Sequence, residues 1–228
     1  MAILQLQSAS VFRPTLGSDR TNKRGSGNAV LNSLTLTIEQ GERVGVLGRN
    51  GAGKTTLLRL LAGIFAPNNG NASVDGDTAT ILDSGFGVEP WLSGRENAIS
   101  RLILTGVPRK ERAEILHELE TFLDLGPYFD EPTRTYSTGM LARLVFGMAT
   151  VRRHAVLIVD EGFGTVDDQF QDAAWLRLNS VIGSTTTLVM ASHNLDQLRK
   201  HCNRGIVLHK GQIIVDSDIE TAIGTYVA

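Results

Sequence analysis

Residues 43–64 read RVGVLGRNGAGKTTLLRLLAGI, and the fold is decided there. RVGVLG is a short apolar run, the middle is rich in glycine, and TTLLRLLAGI sets apolar residues at helical spacing, with Pro67 beyond Gly63 marking its end. The stretch therefore reads as strand, glycine turn and helix. Within it, Gly48-Arg49-Asn50-Gly51-Ala52-Gly53-Lys54-Thr55 fits the P-loop pattern, two glycines bracketing four residues before Lys and Ser or Thr. Glycines let backbone N–H groups turn inward around a phosphate, and the positive end of the following helix adds to the attraction. In such a loop Lys54 reaches the β- and γ-phosphates, and the Thr55 hydroxyl ligates Mg²⁺. Alone, the motif says nucleoside triphosphate and no more.

Downstream, AVLIV at 155–159 is a continuous apolar run, which suits a parallel strand buried on both faces. Asp160 and Glu161 stand at its end. A carboxylate there, beside a P-loop, holds Mg²⁺, and its neighbour is placed to polarise an attacking water. A further strand is expected at 186–191. If it lies beside 155–159, His193 emerges near the same phosphate edge, where it is able to hydrogen-bond a γ-phosphate. His117, His154, His201 and His209 lack such placement and read as surface or structural residues. No His/Cys grouping has metal-ligand spacing, so the metal expected is Mg²⁺ carried by the nucleotide.

Upstream, 3–11 and 34–38 alternate apolar and polar residues and read as half-buried strands, joined through a polar, glycine-rich loop at 17–28. Short strands are expected at 72–74 and 78–82. From about 90 to 150 the character changes to helices. They span 95–105, then 109–123 with Ile115, Leu116, Leu119, Phe122 and Leu123 on one face, then a third through Leu141, Leu144, Val145 and Met148. Helices at 168–182, 194–201 and 217–227, and a hairpin at 206–215 turning at Lys210-Gly211, complete the chain.

The 228 residues suffice for one large domain, and 42% hydrophobic with 20% charged residues is ordinary for a soluble globular protein. A formal net charge of −2 gives no electrostatic footprint for nucleic acid or an anionic membrane. The single cysteine, Cys202, excludes an internal disulfide and suits a reducing cytosol. The start, MAILQLQSASVF, lacks the basic region of a signal peptide, and no apolar run approaches the roughly 18–20 residues that cross a bilayer. Any membrane role is expected to pass through a partner.

Tyr136-Ser137-Thr138-Gly139-Met140 opens the third helix and resembles the signature motif of ABC proteins, usually LSGGQ, in the YSSGM-like form of polysaccharide exporters. Thr138 and Met140 replace the usual Gly and Gln. Along nearly the whole chain, and in the expected order, Gly48–Thr56 resembles the Walker A loop and Val156–Asp160 resembles Walker B with catalytic Glu161. Gly164-Thr165-Val166-Asp167 resembles the D-loop, and His193 the switch histidine. The resemblance implies a P-loop NTPase α/β core, mostly parallel sheet with helices, plus an antiparallel β subdomain and an inserted helical lobe. All of 1–228 would be one nucleotide-binding domain, with 1–84 and 151–228 as core and about 85–150 as lobe.

It also implies that Gly48, Arg49, Asn50, Gly51, Ala52, Gly53, Lys54, Thr55 and Thr56 cradle ATP, with Thr55 and Asp160 on Mg²⁺. Ser137, Gly139 and Asp167 would contribute across a homodimer. The aromatic that stacks on adenine is expected upstream of Walker A. Phe12 is the candidate, and a core Phe is the alternative. No Gln lies where the Q-loop residue belongs; Asp83, Ser84 or Glu89 takes its place. GF-x-x-x-P-x-LSGREN and YSTGM resemble ATP-binding subunits that export capsule, O-antigen or teichoic acid chains through a multi-spanning membrane permease. Such a subunit sits peripherally on the cytoplasmic face of the inner membrane. The rivals are an importer or lipid/drug exporter subunit, and a non-transport ABC ATPase. Against the last, only about eighty residues separate Lys54 from Ser137, too few for the long coiled coils of repair and chromosome types.

Overall fold

Alternating apolar residues at the start of the chain build a three-stranded antiparallel sheet. β1 (Ala2–Phe12) lies between β2 (Ala29–Glu39) and β4 (Asn69–Val74). The computed structural model describes residues 1–13, 29–82, 87–160, 168–183 and 186–228; the loop expected at 17–28 lies outside them. β2 begins five residues before the stretch that alternation marks. Ser33 is the reason: its φ of +49° inserts a bulge that shifts the in–out phase between Leu31 and Leu34, both buried.

The second sheet has six strands in the order β5-β6-β7-β3-β8-β9. Its members are β3 (Arg43–Leu47), β5 (Thr78–Ile81), β6 (Val156–Val159), β7 (Thr187–Ala191), β8 (Arg204–His209) and β9 (Gln212–Asp218). β3 pairs in parallel with β7 and β8, and β6 pairs in parallel with β7. β6 and β7 are buried at every residue, as their continuous apolar runs require. The β8–β9 hairpin turns at Lys210 (φ +46°) and Gly211 (φ +76°), where it was expected. α1 (Lys54–Leu61) buries Leu57, Leu58, Leu60 and Leu61. α6 (Leu195–His201) and α7 (Ile219–Val227) complete this α/β unit, which comprises 1–80, 154–161 and 184–228.

A second compact unit spans 81–153 and 162–183. It contains α2 (Gly94–Leu104), α3 (Arg109–Leu123), α4 (Thr138–Ala149) and α5 (Asp168–Val181). Ala98, Leu119, Leu123, Phe129, Leu144 and Met148 form its core, and the rings of Phe122, Phe146 and Phe170 pack beside one another at 5.2–6.0 Å. α5 thus groups with the helices, although the sequence places it after the Asp160 strand. A capping box starts α2. The Ser93 hydroxyl accepts from Glu96 N–H at 3.1 Å, and the Glu96 carboxylate accepts from Ser93 N–H at 2.8 Å. The S-x-x-E signal for this start is present in the sequence.

Candidate nucleotide site

Between β3 and α1 the chain makes a tight turn that only glycine tolerates at two points. Gly53 has φ +108°, and a Cβ there would lie 2.9 Å from Leu31 Cδ2. A Cβ on Gly48 would lie 2.5 Å from the Leu208 carbonyl oxygen. The β8–β9 turn braces the loop from outside: Gly211 N–H donates to Ala52 O at 3.0 Å, and Gly211 O accepts from Asn32 N–H at 2.9 Å. No side chain caps α1, and no acidic residue sits in its first turn, so the positive end of the helix is left for an anion. Lys54 is buried, and its ammonium donates to Gly48 O at 2.7 Å.

A cleft of about 290 Å³ opens over this loop, lined by Arg49 to Gly51 and Gly53 to Thr56 together with Arg13 and Val30. Three of the lining residues, Arg13, Arg49 and Lys54, are cationic, which suits a polyphosphate. Phe12 is half-buried, its N–H donating to Asn68 Oδ1 at 2.9 Å; its neighbour Arg13, rather than Phe12, lines the cleft. Arg13 and Val30 follow from pairing of β1 with β2, where Phe12 faces Ala29. No local motif announces them.

Asp160 is buried where β6 ends, and its Oδ2 accepts from the Thr55 hydroxyl at 2.7 Å across 105 residues of sequence. A hydroxyl and a carboxylate side by side are the oxygen donors a hard divalent cation requires. No group of three or more His, Cys, Asp or Glu with metal-ligand geometry occurs among the described residues. Val46 pairs with Ala191 and Val159 with Met190, which brings the P-loop, Asp160 and the turn holding His193 to one sheet edge, at the carboxyl ends of parallel strands. His193 is exposed. Its turn is fixed by Asn194, whose Oδ1 accepts from Asp196 N–H at 3.0 Å and Gln197 N–H at 3.2 Å. Glu161 and Asp167 lie outside the described residues, as do Asp83 and Ser84.

In the helical unit, Ser137 is the exposed N-cap of α4, its hydroxyl accepting from Met140 N–H at 3.2 Å; Gly139 is half-buried in the first turn. Glu89 has an exposed side chain, while its backbone N–H donates to Asn97 Oδ1 at 2.7 Å.

The family model described as ABC transporter matches residues 31–164, more than half the chain and the part that includes the P-loop, Ser137 and Asp160. The chain belongs to the ABC transporter family. An O-antigen export system ATP-binding protein of Yersinia enterocolitica is 40% identical over 187 residues, covering 82% of this ABC chain and 78% of that protein. One of the same description from Myxococcus xanthus is 35% identical over 198 residues, covering 87% of this chain, which spans only 45% of that relative. A solved dimeric ATP-binding cassette in a post-hydrolysis state, bound to ADP and Pi, has a TM-score of 0.79 at 18% identity over 95% of this chain and 99% of that one, and so shares the fold. The reaction of this ABC protein is ATP binding and hydrolysis.

Proposed function

We propose that this ATPase powers export of a cell-surface polysaccharide through a separate, multi-spanning permease, and that it works as a homodimer on the cytoplasmic face of the inner membrane. The observation that carries the reading is the 40% identity to an O-antigen export ATP-binding protein over most of both chains. No helix among the described residues is long and apolar enough to cross a membrane, which is consistent with contact through a partner. The whole chain is taken as one nucleotide-binding domain.

In this proposal two copies close head to tail on two ATP molecules. The loop amides and Lys54 of one copy hold the β- and γ-phosphates. Thr55 and Asp160 would hold Mg²⁺, which neutralises charge on the phosphate oxygens. Glu161 orients the attacking water and accepts its proton, and His193 hydrogen-bonds the γ-phosphoryl group as charge develops on it. Ser137, Gly139 and Asp167 of the second copy complete the site. The permease docks on the segment near 85–105.

The test is to tag the chain, extract membranes of its native host in mild detergent and identify what co-purifies. A multi-spanning membrane protein, with ATPase activity in the complex, is expected. A substrate-binding protein alongside it would convert the reading to an importer, and ribosomes, DNA or soluble proteins alone would end the transport claim.

A further inference from the structure

Two stretches of the helical unit, 89–97 (EPWLSGREN) and 128–137 (YFDEPTRTYS), fasten to each other at the level of the backbone. Thr133 N–H donates to Leu92 O at 2.9 Å, Arg134 N–H donates to Pro90 O at 3.0 Å, and Ser93 pairs antiparallel with Pro132. Beneath this ladder sits Asn97, 5% exposed, with its whole amide engaged. Its Oδ1 accepts from Glu89 N–H, and its Nδ2 faces the carbonyls of Glu89, Leu92 and Ser93 at 3.1, 3.2 and 2.9 Å. The buried Thr133 hydroxyl donates to Glu89 O at 3.0 Å.

The rim of the same clasp is ionic and aromatic. Arg95 bonds Asp130 at 2.6 Å and lies over the Phe129 ring at 4.8 Å, while Arg134 lies over Trp91 at 4.7 Å. The last residue before Ser137 is gripped as well. The Tyr136 hydroxyl donates to Tyr128 O at 2.6 Å, and any side chain on Gly94 would collide with that hydroxyl. Gly94 leaves the room that Tyr136 occupies. Here a fully satisfied polar centre specifies one geometry for the chain that enters α4.

We infer that Asn97 and Tyr136 are positioning residues for ATP hydrolysis, which hold the Ser137 turn at one fixed place relative to segment 89–97. The inference rests on the proposed role of Ser137 at the ATP of a second copy. A hydroxyl and helix amides that must meet a γ-phosphate across an interface act only when placed to a fraction of an ångström. The clasp supplies that placement and touches no nucleotide itself.

Three full-length variants test this. Tyr136→Phe keeps the ring and removes the hydroxyl; Asn97→Asp keeps the shape and sets a carboxylate against three carbonyls; Ser137→Arg blocks the proposed contact itself. The first two are expected to lower kcat by about tenfold, with KM for ATP and affinity for a fluorescent ATP analogue within about twofold of wild type. Amide exchange at Thr133 and Arg134 is expected to quicken in both. Unchanged kcat despite faster exchange would reduce the clasp to a stabilising feature and overturn the inference, as would a KM that rose in step with the loss of kcat. If Asn97→Asp shows no cooperative melt, Tyr136→Phe decides alone by the same readouts. Full turnover by Ser137→Arg would remove the composite site on which the inference stands, whereas an inactive Ser137→Arg beside a fully active Tyr136→Phe would overturn the positioning role only.

Discussion

Two helices in this chain begin at small, polar turns that are suited to phosphate, and they begin in opposite ways. α1 starts at Gly53 in a left-handed conformation, with no side-chain cap and a buried lysine as its first residue. α4 starts at Ser137 in an extended conformation, with the serine hydroxyl already accepting from Met140 N–H. The first turn leaves its amides for a ligand and lines a cleft with cations; the second satisfies its own amide and presents an exposed hydroxyl. One is organised to hold an anion within its own chain. The other is stable by itself and contributes a surface.

The widest contrast is expected from the two key side chains. Lys54→Ala should lower ATP hydrolysis by about a thousandfold, measured as steady-state phosphate release, with nucleotide binding lost alongside. Ser137→Ala should leave binding by isolated chains intact, so equal loss of binding in both would erase the distinction. The two glycines come next. Gly53→Ala forces a Cβ onto a residue with φ +108° and should destabilise the fold by about 1–3 kcal/mol in a denaturant melt. Gly139→Ala lies within α4 and should change stability by less than about 1 kcal/mol, in the stabilising direction. A cost at Gly139 equal to that at Gly53 would mean that both turns are strained alike. Removing the cap in Ser137→Ala should cost about 1 kcal/mol, visible as a lower Tm with no change in nucleotide affinity.

The smallest effect concerns pH and belongs to the α/β unit alone. Burial, then the charges of Lys200 and Arg43, hold His201 below the ordinary histidine value of 6.5. A depressed folded value means that the unfolded chain binds the proton more readily. The contribution is therefore complete above about pH 6.5 and is lost as pH falls through the folded value. Thermal melts between pH 7.5 and 5 should fall less steeply for His201→Gln than for wild type; identical slopes would assign the acid sensitivity elsewhere.

The α/β core was legible because its signals are local. A glycine run between a strand and a helix, and an acidic residue after a buried apolar run, both name their place. Hairpin chemistry at Lys210-Gly211 was equally plain, yet its grip on the P-loop carbonyl of Ala52 was not, since that contact joins residues far apart in sequence. Arg13 carries no local signal for the same reason, as it reaches the cleft only through strand pairing. Alternation marks only part of β2, because a single inserted residue at Ser33 inverts the in–out pattern that reveals a strand. Asn97 enters the sequence reading only as the last residue of the LSGREN resemblance, with nothing to mark it as buried. Its burial depends on the turn at 89–93 folding back over it, and no periodicity encodes that.

The brace at Gly211 also orders events during synthesis. β3 sits between β7 and β8, and the Ala52 carbonyl awaits the Gly211 amide, so the P-loop leaves the ribosome some 160 residues ahead of the turn that secures it. A nascent chain that has displayed its nucleotide motif has not yet made a nucleotide site. Only when the β8–β9 hairpin emerges does the loop acquire both of its flanking strands.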